Sequence, residues 1–370
     1  MIDFEQLRRW PDIEAPELVA HDATDRLLLD TADEALPAHP DAVTVIGDRY
    51  GALTLGVATL LPGARIRVHQ DALSGELALD ANAERLGVVP TWSHHGLDAA
   101  LLEGARTVLL QLPRGLDALD EIAGLLARHA HPDVRVYAGG RVKHMTLTMN
   151  DVLSRHLGEV SAGRARQKSR ILTATHPTRG GALGWPRTSR HGDVVVVAHG
   201  AAFAGTSIDV GTRALLAVLD RAAHAARDVV DLGCGTGVLA ASFALARPGV
   251  RVVATDQSWA AVESAQATMR ATGVADRVTV SRDDAGSSLP EASADVVLLN
   301  PPFHVGATVH TAISRKLFEA AARLLRPGGE LWCVWNSPLG HRPVLERVVG
   351  ATTQIARDPR FTVTRSIRRG

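Results

Sequence analysis

The chain has 370 residues, of which 46% are hydrophobic and 22% charged, a balance typical of globular proteins and a length that suits two domains. Its 40 basic residues equal its 40 acidic ones, and a formal net charge of zero excludes the binding of polyanions through bulk charge. Two cysteines exclude a disulfide framework and a cysteine-rich metal cluster, and no apolar run reaches the ~18 residues of a membrane span.

The first half of the chain has the pattern of an α/β domain. Its first residues carry neither the basic region nor the apolar core of a signal peptide, so we expect a cytoplasmic protein. A helix is predicted near residues 22–36. Apolar runs at 43–46 and 108–112 predict buried strands, and the first of them leads into a turn with glycines at its two ends, 47–51.

Residues 141–190 form a basic segment that connects the two halves. Contact with a phosphate backbone requires localised positive charge of this kind, although an ordinary solvated surface has the same composition. The segment contains ten basic residues and only two acidic ones, Asp151 and Glu159. The basic residues are Arg141, Lys143, Arg155, Arg164, Arg166, Lys168, Arg170, Arg179, Arg187 and Arg190. Glycines and a proline at 178–186 predict a loop, which places the domains at 1–185 and 186–370. The arginine-rich tail, 357–369, is a second basic stretch.

The second domain is organised around a strand, a glycine turn and a helix. A predicted strand at 193–198 precedes Phe203, Asp209 and a helix from residue 213. The apolar run 228–232 then enters Gly233-Cys234-Gly235-Thr236-Gly237 and continues as a helix-forming stretch, 238–246. This order brings bare backbone close to a ligand at a helix N-terminus. The G-x-G-x-G spacing differs from the dinucleotide fingerprint, and no Lys-Ser/Thr pair follows as in a phosphate-binding P-loop.

Three acidic positions lie near the ends of the apolar runs of this domain. Asp231 lies two residues before the first glycine, and Asp256 ends the next run, where a carboxylate binds ribose hydroxyls; Gln257 follows it. Asp284 ends the third run and is placed for an adenine amino group, with Asp283 as its competitor. These positions predict a ligand with an adenosine and a cationic or zwitterionic end but no pyrophosphate, and S-adenosylmethionine fits.

A rigid polar corner follows the fourth predicted strand, 295–300. Asn300-Pro301-Pro302-Phe303 stands at the carboxyl end of this strand, where open α/β sheets bind ligands. The Asn300 side-chain oxygen and the Pro301 carbonyl can accept the two hydrogens of a planar amine and aim its lone pair. Pro301 and Pro302 restrict the backbone, and Phe303 offers a stacking face. This chemistry needs no metal.

The glycine turn D-L-G-C-G-T-G with its downstream acid resembles the class I S-adenosylmethionine-dependent methyltransferases. Asn300-Pro301-Pro302-Phe303 resembles the signature of the members that methylate planar nitrogens. Extended through His304 to Gly306, it resembles the ribosomal RNA guanine-N2 methyltransferases of the RsmC/RlmG type. The resemblance suggests a lid that includes Phe203 and Asp209; the residues alone also allow a packed aromatic and a helix N-cap. For His304 we favour a hydrogen-bonding role over that of general base.

The resemblance implies catalytic and cofactor-binding residues at matching positions. The catalytic corner is Asn300, Pro301, Pro302 and Phe303. The cofactor-binding residues are Asp231, Gly233, Cys234, Gly235, Thr236, Gly237, Asp256, Gln257, Asp284 and Asn300. The implied reaction transfers a methyl group to the N2 amino group of a guanine in ribosomal RNA or in a ribosomal subunit.

The two halves resemble one another. A shift of 186 residues (47 to 233) places the first glycine turn on the second, and a shift of 189 (111 to 300) aligns the later strands. Val45 then replaces Asp231 and Arg49 replaces Gly235, so we expect no cofactor in the first half. The prediction is two tandem doubly wound, Rossmann-like methyltransferase-type domains, of which the first is degenerate and grips the substrate or supports the second.

Two other functions remain open at this point. The same corner serves enzymes that methylate adenine N6 in nucleic acid or a glutamine side chain in protein. A non-catalytic RNA-binding or assembly protein is a third class, which the intact cofactor motif disfavours. The oligomeric state cannot be predicted from these patterns.

Overall fold

Two sheets with the same strand order organise this computed structural model, which describes residues 2–222, 225–302 and 307–370. The chain divides between Trp185 and Pro186 into two compact units. In the described residues each unit contains a sheet with the strand order 3-2-1-4-5-7-6. The predicted pair of doubly wound α/β domains is thereby confirmed.

The first unit carries its helices on a mixed sheet. Its strands are β1 (Val43–Ile46), β2 (Ile66–His69), β3 (Trp92–His94), β4 (Thr107–Gln111), β5 (Arg135–Arg141), β6 (Leu157–Ala162) and β7 (Ser169–Pro177). Its helices are α1 (Ala23–Ala32), α2 (Ala52–Leu60), α3 (Leu73–Leu86), α4 (Ala99–Leu102), α5 (Leu116–His129) and α6 (Leu147–His156). Strands β1 to β5 are parallel, and β7 lies antiparallel to β5 and β6.

The second unit repeats this plan behind a short hairpin. Its strands are β8 (Arg187–His191), β9 (Val194–Ala198), β10 (Asp228–Leu232), β11 (Arg251–Asp256), β12 (Val278–Arg282), β13 (Ala294–Leu299), β14 (Leu325–Asn336), β15 (Thr352–Arg357) and β16 (Phe361–Ile367). Its helices are α7 (Val210–Leu216), α8 (Val238–Ala246), α9 (Trp259–Thr272), α10 (Ala307–Leu324) and α11 (Arg342–Val348). The central strand β10 pairs in parallel with β11 and β13, so the strand order reverses beside it. Ligands bind at such a reversal, outside the carboxyl ends of the strands.

The central strand is buried on both faces. Val229 packs into one apolar cluster with α8 and α9, and Val230 packs into another with α10 and α11. Cys234 and Cys333 are buried free thiols, one in each cluster. A strand covered on both sides reads as a continuous apolar run, which is why β10 could be predicted from sequence.

The hairpin β8–β9 is fastened to α9 by small hydroxyl side chains. The backbone N–H groups of Val195, Val197 and His199 donate to hydroxyl oxygens at distances of 2.9–3.1 Å, and the acceptors are Thr272, Thr268 and Ser264. These acceptors are four residues apart, so they lie along one face of the helix. The arrangement satisfies backbone N–H groups of β9 and of the residue after it with side-chain oxygens of a helix.

The predicted connecting segment is different in the structure. Most of residues 141–190 belong to the first unit, as α6, β6 and β7, and not to a linker. Ile171, Leu172 and Ala174 are buried in β7, whereas the charges cluster in the exposed turn at 163–168. The density of arginine masked the strand pattern. Strand β15 was also missed, because its polar Thr353 and Gln354 face solvent at the sheet edge.

Candidate active site

The glycine turn after β10 leaves bare backbone facing open space. Gly233 and Gly235 have φ angles of 74° and 53°, and a Cβ built on either would have no heavy atom within 4 Å. At Gly237 a Cβ would lie 2.5 Å from Cε of Met269 and 3.1 Å from Cβ of Ala265. Gly237 therefore allows α8 to pack on α9, while the other two glycines leave room for a ligand.

A crevice that opens to solvent lies beside this turn. It contains most of the predicted turn residues together with Asn300 and residues that precede or begin α7. The lining residues are Phe203, Ala204, Ser207, Ile208, Asp209, Thr212, Gly233, Cys234, Gly235, Thr236, Val238, Leu239 and Asn300. Phe203 is 56% exposed, so it is a residue of the crevice mouth and not of the core.

Asp231 is a buried carboxylate with one oxygen that lacks a partner. It is 1% exposed, and its Oδ2 accepts a hydrogen bond from the backbone N–H of Ala240 at 2.9 Å. None of the described residues donates to its Oδ1. Loss of solvation raises the pKa of Asp231 to about 7, and the nearby Asp256 carboxylate adds to the rise. A cationic ligand group would restore the ionised form of this side chain.

Asp256 joins the glycine turn to β11. Its Oδ2 accepts from the backbone N–H of Gly235 and its Oδ1 from that of Ser258, both at 2.9 Å. These bonds place the carboxylate at the carboxyl end of the second strand, as predicted for a group that binds ribose hydroxyls. Gln257 follows it as an exposed residue.

The two acidic residues after β12 have different environments. Asp283 is 4% exposed and accepts hydrogen bonds from the hydroxyls of Ser287 and Ser288, each at 2.7 Å. Asp284 forms an ion pair with Lys316 of α10, with an Nζ–Oδ2 distance of 2.6 Å. Asp283 is thus occupied by its own loop, and Asp284 remains the candidate for adenine. The pairing with Lys316 was not found from the sequence.

Asn300 follows β13 directly and is held by the start of α7. Its Nδ2 donates to Oδ2 of Asp209 at 3.2 Å and to Oγ1 of Thr212 at 3.0 Å. Asp209 is the N-cap of α7, because the same Oδ2 accepts from the backbone N–H groups of Gly211 and Thr212. The Oδ1 of Asn300 is buried and accepts no hydrogen bond from the described residues. Its capacity to accept a hydrogen bond is therefore unused among the described residues.

The corner after Asn300 is described as far as its second proline. Pro301 is buried and Pro302 is exposed. Phe303, His304 and Gly306 lie outside the described residues. The predicted stacking role of Phe303 and the hydrogen-bonding role of His304 therefore remain predictions.

The first unit keeps the backbone of this site but not its side chains. Gly47 (φ 78°) and Gly51 (φ 99°) match the turn glycines at the same positions, and Arg49 (φ 20°) lines the crevice where the second unit has Gly235. Val45 replaces Asp231, and the carboxylate that accepts hydrogen bonds from the start of the following helix belongs to Asp48 instead. It accepts from the backbone N–H groups of residues 53 and 54 at the start of α2.

Two absences hold for residues 2–222, 225–302 and 307–370, which the structure describes. Within them, no three His, Cys, Asp or Glu side chains are grouped so as to hold a metal ion. None of the helices there is both long enough and apolar enough to cross a bilayer.

Two family models match the chain, one for each unit. Residues 3–178 match the RLMG N-terminal domain, and residues 193–365 match the methyltransferase small domain. Proteins named ribosomal RNA large subunit methyltransferase G are 34% identical in Streptomyces avermitilis and in Streptomyces coelicolor. Each alignment covers 98% of this chain and 97% of the relative.

A solved structure has the same fold over nearly the whole chain. It is the T. thermophilus 16S rRNA guanine-N2 methyltransferase RsmC in complex with AdoMet and guanosine. The TM-score is 0.75 at 22% sequence identity, over 94% of this chain and 92% of that one. At this identity the likeness shows a common fold.

Proposed function

Because the chain belongs to the family of the ribosomal RNA large subunit methyltransferase G proteins, we propose that it transfers a methyl group from S-adenosylmethionine to the N2 amino group of a guanine in ribosomal RNA. The observation that carries the proposal is the pairing of two features in one unit. The open glycine turn follows the buried Asp231 in the chain, and Asn300, whose amide oxygen accepts no hydrogen bond from the described residues, lines the same crevice as the turn.

The second unit suits S-adenosylmethionine. When bound, this cofactor supplies a methyl group on a positively charged sulfur. The turn from Gly233 to Gly237, together with Cys234 and Thr236, offers backbone to the ligand. Asp231 would balance the cationic end of the ligand, Asp256 with Gln257 would bind the ribose, and Asp284 would bind the adenine amino group.

The acceptor corner would orient the guanine amine. Its lone pair is delocalised into the ring, so the nitrogen is a poor nucleophile until it becomes more tetrahedral. Asn300 Oδ1 and the Pro301 carbonyl accept the two N–H hydrogens, and Pro302 restricts the backbone that follows. Methyl transfer to this nitrogen would form its bond to carbon as the methyl–sulfur bond breaks, and one N–H proton would then leave to solvent. Much of the rate enhancement comes from positioning.

A basic surface on the first unit supports an RNA substrate. Arg164, Arg166 and Lys168 are exposed in the turn between β6 and β7, and the backbone carbonyl of Lys168 accepts from the N–H of residue 142 at 2.9 Å. Loss of solvation and four neighbouring cations lower the pKa of the exposed His144; the cations are Lys143, Arg114, Arg49 and Arg141. The cations gathered here offer contacts to several phosphates. We propose that the reaction takes place in the cytoplasm, where the protein would encounter ribosomal RNA.

Analysis of the methylated product tests this proposal. The protein is incubated with labelled S-adenosylmethionine and large ribosomal subunits from cells that lack it, and the RNA nucleosides and the subunit proteins are then analysed by mass spectrometry. We expect label in N2-methylguanosine at one position. Label in N6-methyladenosine or in a protein glutamine would replace the proposal with the matching alternative. A protein that fails to bind the cofactor in calorimetry would instead be a non-catalytic RNA-binding or assembly factor.

Cofactor affinity is expected to fall in acid because Asp231 must be ionised to balance a cation. With a pKa of about 7 in the free protein, the side chain is protonated below that pH, and binding must release the proton. The association constant should therefore fall roughly tenfold for each pH unit below 7 and level off above it. Calorimetry at pH 6 in buffers of different ionisation enthalpy should detect about one released proton.

The matched control for this experiment lies in the first unit. Asp48 has a similarly raised pKa of about 7 and the same kind of anchoring bonds. Asp48→Asn should retain the pH dependence of cofactor binding, whereas Asp231→Asn should bind weakly and without it. An Asp231→Asn variant that keeps the acid dependence of the wild type would show that another group binds the cation.

A further inference from the structure

We propose that Asp209 and Thr212 are positioning residues that hold the Asn300 amide with its oxygen towards the acceptor amine. This inference rests on the proposed function, because it concerns how the same corner is set for the reaction. Asp209 and Thr212 belong to the start of α7, far from the corner in sequence, and both line the crevice with Asn300.

The start of α7 accepts both N–H bonds of the Asn300 amide. A primary amide has two N–H donors and one carbonyl acceptor. Asn300 Nδ2 lies 3.2 Å from Asp209 Oδ2 and 3.0 Å from Thr212 Oγ1. With the nitrogen occupied, the oxygen is the one polar atom of this side chain left for a substrate.

Asp209 cannot accommodate the opposite orientation of the Asn300 amide. Its Oδ2 already accepts from Gly211 N at 2.9 Å and from Thr212 N at 3.3 Å, which fixes the carboxylate at the helix N-terminus. If the amide were rotated, the Asn300 oxygen would face this carboxylate. Two acceptor oxygens without a hydrogen between them repel each other. An ionised carboxylate has no donor to offer in exchange.

Gly211 allows α7 to approach Asn300 closely. A Cβ at this position would lie 3.2 Å from Asn300 Oδ1 and 3.0 Å from Asp209 Oδ2. Both distances are tighter than ordinary van der Waals contact. Glycine at 211 therefore permits the first turn of α7 to approach the end of β13 closely enough for the two side-chain hydrogen bonds.

The first unit contains a related arrangement. Gln111, at the position that matches Asn300, donates its Nε2 to Asp25 in the first turn of α1. A shift of 187 residues (25 to 212) places Asp25 on Thr212. The contact between an amide after the fourth strand and the first helix thus occurs in both copies. In the second unit the amide is Asn300, which lies in the predicted catalytic corner.

The test compares three variants of the full-length protein. Thr212→Val removes the hydroxyl and keeps the shape, Thr212→Ser keeps the hydroxyl, and Asp209→Asn replaces an acceptor by a group that can also donate. Asparagine caps helices as well as aspartate does, so α7 should remain capped. We expect kcat to fall about tenfold in Thr212→Val and roughly 100-fold in Asp209→Asn, with Thr212→Ser close to wild type.

Three readouts separate positioning from general damage. The KM for RNA, the Kd for S-adenosylmethionine and the Tm should each stay near the wild-type value in all three variants. In ¹⁵N spectra the Asn300 side-chain amide, identified by its loss in Asn300→Ala, should be protected from hydrogen exchange in wild type and Thr212→Ser. Protection should be lost in Thr212→Val and Asp209→Asn.

Two results would overturn the inference. One is an unchanged kcat in both Thr212→Val and Asp209→Asn, and the other is an exchange rate that does not differ between these variants and wild type. If wild-type protein methylates no RNA, the proposed function fails, while the exchange measurement still decides whether Asp209 and Thr212 hold the amide.

Discussion

Replacing Asn300 by alanine is expected to reduce methyl transfer by about 1000-fold and to leave the Kd for S-adenosylmethionine within about threefold of wild type. The reason is that the substitution removes the only polar atom that the Asn300 side chain offers to the acceptor amine. Loss of one such preorganised group typically costs 10²–10³ in rate, and here the orientation of the amine is lost with it. Single-turnover rates and calorimetry on the same preparation measure the two quantities.

The first unit contains the control for this substitution. Gln111 occupies the matching position and also donates to a carboxylate, that of Asp25 in α1. Gln111→Ala therefore removes a comparable amide contact, in the unit for which we predict no cofactor. We expect it to keep the kcat of wild type. A loss of transfer that is equal in Gln111→Ala and Asn300→Ala would mean that both act through folding, and the catalytic role of Asn300 would be rejected.

The parts of the fold that were predicted correctly have short-range signals. The strand–turn–helix of the second unit is a local pattern: a strand buried on both faces is a continuous apolar run, and positive φ angles demand glycine. The duplication could be recognised because Gly47 and Gly51 serve the same turn as Gly233 and Gly237. The resemblance to the RsmC/RlmG-type methyltransferases, read from these motifs, is confirmed by relatives that align over nearly the whole chain.

The parts that were missed depend on contacts between distant residues. Thr212 meets Asn300 across 88 positions, and Lys316 meets Asp284 across 32, so neither pair forms a local motif. Val45 in place of Asp231 was interpreted as a loss of the cofactor-binding chemistry in the first unit. The structure shows that Asp48 supplies a carboxylate to the same helix start from three residues further along. Sequence shows which residue occupies a position, but the fold decides which side chain reaches the group to be bound.

Replacing Gly235 by arginine is expected to weaken S-adenosylmethionine binding by more than about 100-fold, because the side chain would fill the crevice that the turn leaves open. This change reproduces the first unit, where Arg49 stands at the matching position and lines the crevice. A Cβ at Gly235 has no heavy atom within 4 Å, so the fold accepts the side chain without a clash. Calorimetry and the cofactor-induced rise in Tm measure the loss.

The matched control is Gly273→Arg at the C-cap of α9. Gly273 has a φ of 78° and likewise no heavy atom within 4 Å of a Cβ, but it lies outside the crevice lining. Both variants carry the same side chain at a positive φ, which costs about 1–2 kcal/mol of stability in each. Only Gly235→Arg should lose the cofactor, and equal affinity in the two variants would exclude the glycine turn as its site. The reverse change, Arg49→Gly, should not create a site in the first unit, because Val45 cannot supply the charge that Asp231 offers to a cation.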